Sequence, residues 1–107
     1  MLLTLALLAA NISQVNFDIL NNSKQSISHV WIAKHGSDQW GEDFLRMGPL
    51  LPNQTFHITF TNKETANNWD LRIRYGNREE IFDSLNLTEI KQLTIEVEKD
   101  GRWNAKR

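Results

Sequence analysis

Cysteine is absent from the 107 residues. That removes a disulfide framework, thiolate metal ligation and a cysteine nucleophile, and leaves the redox compartment open. An excess of either charge is lacking too: 12 Lys plus Arg stand against 13 Asp plus Glu, for a net charge of −1. Nucleic-acid binding needs a basic footprint, and this balance supplies none. Proline occurs twice, and the five glycines are dispersed at 36, 41, 48, 76 and 101. No glycine-rich loop is available to cradle a phosphate. Serines are present, but none sits in a G-x-S-x-G nucleophile elbow. No apolar run spans a bilayer: the stretch from Leu2 to Ala10 falls far short of the roughly 20 residues a membrane helix needs.

What remains is an ordinary globular composition, 40% hydrophobic and 23% charged, which argues against disorder. The length suits one domain with a modest core. The apolar residues of 1–10 fit the h-region of a secretory signal peptide, or a clipped leader, with Ala9 and Ala10 where a peptidase would cut. The basic n-region is missing, and an N-terminal core element is the plain alternative. On the signal reading, residues 11–107 form one domain that works in the periplasm or outside the cell.

Alternation dominates the rest. Val15, Phe17 and Ile19 point one way between polar neighbours, as in a half-buried strand. From Ile27 to Lys34 both faces carry apolar residues, so this strand is expected to be central and covered on both sides. Phe56, Ile58 and Phe60 alternate next, then Trp69, Leu71, Ile73 and Tyr75, with Asp70, Arg72 and Arg74 expected outside. Gly76-Asn77 reads as a hairpin turn returning through Glu80-Ile81-Phe82. Asn86 to Glu89 has capping-box spacing and predicts one helical turn. Leu93, Ile95 and Val97 form a further strand, and Asp100-Gly101 a further hairpin. Six to eight short strands with turn signals between them predict an all-β fold, an antiparallel β-sandwich.

One segment breaks the pattern. After Gly36, Ser37 or Asp38 can cap a short helix over 38–47. Trp40, Phe44 and Met47 would share a face of it, Glu42 and Arg46 would pair outside, and Gly48-Pro49 would end it. Asp38, Glu42 and Asp43 are a candidate calcium set, since hard cations take clustered oxygens from loops. Their spacing is not that of an EF-hand, and acidic residues at a helix start have an ordinary explanation in the dipole. His29, His35 and His57 lack metal-ligand spacing and read as surface or core histidines. Arg72, Arg74 and Arg78 stand among Asp70, Glu79 and Glu80, which reads as cross-strand pairing. Of the four tryptophans, Trp31 and Trp69 occupy core-type positions, and Trp40 and Trp103 are the pair open to ligand or partner contact. Asn11, Asn21, Asn53 and Asn86 each begin an Asn-x-Ser/Thr sequon, a glycan acceptor on surface loops of a secreted protein.

The segment Ser37-Asp38-Gln39-Trp40-Gly41-Glu42-Asp43-Phe44-Leu45, followed by Leu51-Pro52-Asn53 and Trp69-Asp70-Leu71-Arg72, resembles a family of small exported bacterial β proteins with an SDxWGxDxL motif. Phe44 replaces that family's usual leucine and Asn53 its usual glycine. Some members carry the label argininosuccinate lyase, a large helical tetramer that a β-patterned chain of 107 residues cannot form. The resemblance implies export and a scaffold, and it brings no catalytic residue. The expected function is a binding or interaction module without catalytic activity. Its surface is Ser37, Asp38, Trp40, Glu42 and Asp43, and its partner a protein or small molecule. The alternative is a C2-like calcium-binding domain using loop 37–43; a small hydrolase ranks last.

Overall fold

The computed structural model describes residues 13–62 and 66–107. The leader expected at 1–10 and the sequon at Asn11 lie outside the described residues. The described residues are all-β, with seven strands: β1 (Ser13–Asn22), β2 (His29–Lys34), β3 (Thr55–Asn62), β4 (Trp69–Tyr75), β5 (Arg78–Leu85), β6 (Gln92–Val97) and β7 (Trp103–Lys106). They form two sheets, ordered β3-β1-β6-β7 and β2-β4-β5. Both sheets contribute to a single core. Val15, Phe17, Ile19, Ile58, Leu93 and Ile95 come from the first, and Val30, Ile32, Leu71 and Ile73 from the second. The period-2 pattern therefore does what alternation on a pleated surface requires, placing each strand's apolar set on one buried face.

Several expectations are corrected. Pairing is not wholly antiparallel: β1 and β6 run parallel, with Asp18 opposite Gln92 and Asn22 opposite Glu96. The long excursion through the second sheet makes this parallel return sterically feasible, whereas a short hairpin could not. Among the described strands β2 is an edge, paired with β4 alone. Its second apolar face is not covered by a neighbouring layer but carries Trp31 beside arginine side chains. The helix expected over 38–47 is not formed, and the segment runs as an irregular loop. Met47, placed on that helix's buried face, is 99% exposed. Residues 87–89 make a turn without a helix; the Glu89 N–H donates to the Asn86 carbonyl at 3.2 Å.

Asp70 is the third correction on burial. It is 7% exposed, although alternation assigns it to the outer face. The pairing of β4 with β5 slips between Trp69 opposite Leu85 and Leu71 opposite Phe82, which leaves one extra residue on β5. Ser84 takes a left-handed φ of 56° at that bulge, and its N–H donates to the Asp70 carboxylate at 2.9 Å. Bulges aim backbone groups in this way.

Local turn chemistry follows the sequence more closely. Gly76 adopts φ 57° in the two-residue connection between β4 and β5, a conformation that costs glycine nothing. Asn53 adopts φ 70°, a region asparagine tolerates better than other side chains. Asn21 is fully buried. Its amide donates to the Gln25 carbonyl at 2.8 Å and the Leu50 carbonyl at 2.9 Å. Its oxygen accepts from the Ser23 N–H and hydroxyl. Every polar atom is used, so this sequon is a structural plug and not a surface glycan acceptor.

Candidate functional site

The segment from His35 to Leu50 wraps around the edge of β2. Its root is fixed by Asp70, whose carboxylate accepts from the Gly36 N–H at 3.2 Å and pairs with His35 Nδ1 at 2.8 Å. Burial pushes the Asp70 carboxyl up. The N–H groups of Ser84 and Gly36 and the His35 ring outweigh that effect and hold it below the ordinary carboxylate value. The hydrogen bond to Asp70, followed by its charge, raises His35. The Ser37 N–H then closes a turn onto the Lys34 carbonyl at 3.0 Å. Its hydroxyl accepts from the Gln39 N–H at 3.2 Å.

From there the loop grips β2 in two ways. On the outer face of the β2-β4-β5 sheet, Trp40 folds over Arg72. The guanidinium carbon lies 4.9 Å from the Trp40 ring centre and 4.1 Å from that of Trp31. His29 stacks on the far side of this row, 5.2 Å from Trp31 at an interplanar angle of 14°. A cation held between two indole faces is attracted by both ring quadrupoles. Along the edge itself, Asp43 Oδ1 accepts from the Val30 N–H and the Leu45 N–H, each at 2.9 Å. Asp43 Oδ2 meets His29 Nδ1 at 2.6 Å. The Phe44 N–H completes the contact by donating to the Val30 carbonyl at 2.8 Å. The Asp43 side chain thus stands in for a neighbouring strand, blunting an edge that would otherwise be free to pair. Burial raises the Asp43 carboxyl; the Val30 and Leu45 N–H groups and His29 together bring it below its ordinary value.

The five residues expected to form the surface are therefore not equivalent. Ser37 shapes a turn, Trp40 clasps Arg72, and Asp43 is committed to the edge. Glu42 pairs with Arg46, as its spacing suggested, but across a loop. Asp38 is exposed with φ 55°. Asp38, Glu42 and Asp43 do not converge: among the described residues no group of three or more His, Asp or Glu side chains could hold a metal ion.

What the loop does build is a cleft. Beyond Asp43 the edge of β2 diverges from the loop, and it faces the free edge of β3 on the other sheet. Two adjoining concavities of about 370 and 290 Å³ lie there, sharing Ile32, Gly41, Phe60 and Trp69 as walls. Phe60 meets Trp69 edge to face at 5.0 Å and Phe44 at 6.2 Å. The smaller concavity is bounded by Asp43 and Phe44, the larger by Ser37 and Gln39. Two buried side-chain N–H groups lack an acceptor among the described residues, Trp69 Nε1 and Arg72 Nε. Sequence reasoning missed Phe60 and Trp69 as cleft residues because alternation marks them only as inward-facing. That β2 and β3 are both sheet edges is set by long-range pairing.

All three histidines meet a carboxylate through Nδ1: His29 with Asp43, His35 with Asp70, and His57 with Asp18 at 2.7 Å. The last pair sits in direct register between β1 and β3. A histidine so oriented resembles one half of a base–orienter pair, yet among the described residues no imidazole hydrogen bond reaches a hydroxyl. Arg74 and Glu79 pair as cross-strand neighbours at 2.9 Å, as expected. No helix among the described residues is long and apolar enough to cross a membrane. No family model matches the chain, and neither a curated protein nor a solved structure does.

Proposed function

We propose that this chain is an exported β-sandwich binding module that takes an extended peptide segment into the cleft between the β2 and β3 edges. The observation that carries the reading is the pair of adjoining concavities walled by Ile32, Phe60 and Trp69, lying between the β2 edge past the Val30 contacts and the β3 edge of the other sheet. A free edge offers backbone groups to an added strand, and a pocket beside it sorts the incoming side chains. The composition of β3 supports the same reading. Its sequence, Thr-Phe-His-Ile-Thr-Phe-Thr-Asn, contains no Lys, Asp, Glu or Pro, the residues that ordinarily protect an edge from pairing. Export is part of the proposal because the apolar run from Leu2 to Ala10 has the character of a signal-peptide h-region, and because of the resemblance to small exported bacterial proteins. The reading is one of binding; among the described residues no serine or threonine hydroxyl is hydrogen-bonded to a histidine.

Peptides selected from a random library against the full chain test this directly. The expected binders are extended and carry an apolar anchor. They slow exchange of the Ile32 amide and shift the Trp69 indole resonance, and Phe60→Lys abolishes binding without unfolding the protein. Binders that leave Ile32 and Trp69 unperturbed would overturn the assignment of the cleft.

A further inference from the structure

A second cavity lies at the opposite end of the molecule. The cleft touches Trp69 at the start of β4, whereas this cavity touches Tyr75 at its end. Seven residues of strand place the two about 20 Å apart. Its volume is about 490 Å³, within the range of small-molecule sites. It forms where the β4–β5 turn of one sheet approaches the β6–β7 turn of the other. The floor is aromatic: Trp103 stacks on Tyr75 with ring centres 4.0 Å apart and an interplanar angle of 27°. The Tyr75 hydroxyl donates to Glu80 at 2.9 Å, so the one carboxylate in the lining is already engaged.

Two guanidiniums line this cavity, one from each hairpin. Arg78 forms no side-chain ion pair or hydrogen bond among the described residues. Arg102 has only an exposed contact with Asp100 at 3.7 Å, too long for a hydrogen bond. The side-chain amides of Gln25 and Asn77 also line the cavity and make no hydrogen bonds among the described residues. Guanidinium forks match carboxylate geometry, and aromatic faces suit the flat or apolar face of a ring.

We infer that this cavity is a binding site for a small ring carboxylate, with Arg78 and Arg102 holding the carboxylate, Trp103 carrying the ring, and Gln25 and Asn77 serving its hydroxyls. Two natural sources share that chemistry, aromatic acids and uronic-acid sugars. The experiment is a titration of the ¹⁵N-labelled full chain with 4-hydroxybenzoate and with glucuronate, followed by NMR. Neutral 4-hydroxybenzamide, methyl glucoside and inorganic phosphate are the controls. The expected result is a saturable shift of the Trp103 indole N–H and the Asn77 amide with at least one acid, and which acid saturates at lower concentration identifies the source. The neutral analogues should give no saturable shift, and phosphate should bind more weakly. The double variant Arg78→Gln/Arg102→Gln should weaken binding roughly tenfold or more with an unchanged melting temperature. Failure of both acids to saturate at tens of millimolar overturns the inference. So does equal binding of a neutral analogue or of phosphate, or a double variant that binds as well as the parent.

Discussion

Asp43 gives the sharpest perturbation. Its carboxylate carries three contacts, and they are unequally divided: both backbone N–H groups donate to Oδ1, and only His29 meets Oδ2. Val30 is fully buried and Leu45 nearly so. Asp43→Ala therefore strands two donors in a region water reaches poorly. At about 1–3 kcal/mol for each buried donor left unsatisfied, the expected loss is about 2–6 kcal/mol. Asp43→Asn retains an oxygen where Oδ1 stands, so both backbone bonds survive. What is lost is charge assistance and the His29 contact, about 1 kcal/mol. Urea unfolding followed by tryptophan fluorescence measures both variants, with the slope of the transition checked for constancy. Amide exchange adds a local reading, since the Val30 amide should lose protection in the alanine variant and keep it in the asparagine variant. An asparagine variant as damaged as the alanine one would refute this division of labour. An alanine variant within about 0.5 kcal/mol of the parent, the range of ordinary surface changes, would show that the edge clamp carries no stability.

Three further outcomes are expected. Asp70 sits below its ordinary value and His35 above its own. The Asp70 contribution is thus present above the unfolded carboxylate value of about 3.9 and is lost as pH falls through the lower folded value. The His35 contribution is present below about pH 6.5 and is lost as pH rises through the higher folded value. Stability against urea should plateau between these limits, and Asp70→Asn should flatten both shoulders; a variant with an unchanged profile would contradict the assignment. Asn21→Ala removes four hydrogen bonds from a buried site and should cost about 2–4 kcal/mol in the same assay, whereas an equally stable variant would mean that the plug is dispensable. Met47→Lys should leave the melting temperature unchanged because the side chain is in solvent; a drop of several degrees would restore the helix with Met47 on its buried face.

The strands were legible because alternation is a local signal. Val15, Phe17, Ile19, Leu71, Ile73, Leu93 and Ile95 are buried where their spacing puts them. Gly76 and Gly101 were legible as turns for the same reason, since each needs only its own backbone freedom; both take positive φ. The loop from 37 to 47 misled because Trp40, Phe44 and Met47 have helical spacing. In the folded chain Trp40 gains a cation between two rings and Phe44 gains the aromatic cluster, on opposite sides of β2. No helix can offer one face to both, so tertiary contacts override the propensity.

By itself, the sequence determined six to eight short runs with strand patterning, the turns between most of them, and a core drawn from their alternate residues. It also determined the charge balance and the chemistry that is missing. Only the tertiary structure decided which strands are edges, that β1 and β6 run parallel, and that a bulge turns Ser84 toward Asp70. It also decided that Asp43 closes an edge of the second sheet. The reason is physical: alternation and turn propensity act over a few residues, whereas an edge, a bulge partner or a cavity exists only once distant strands pair.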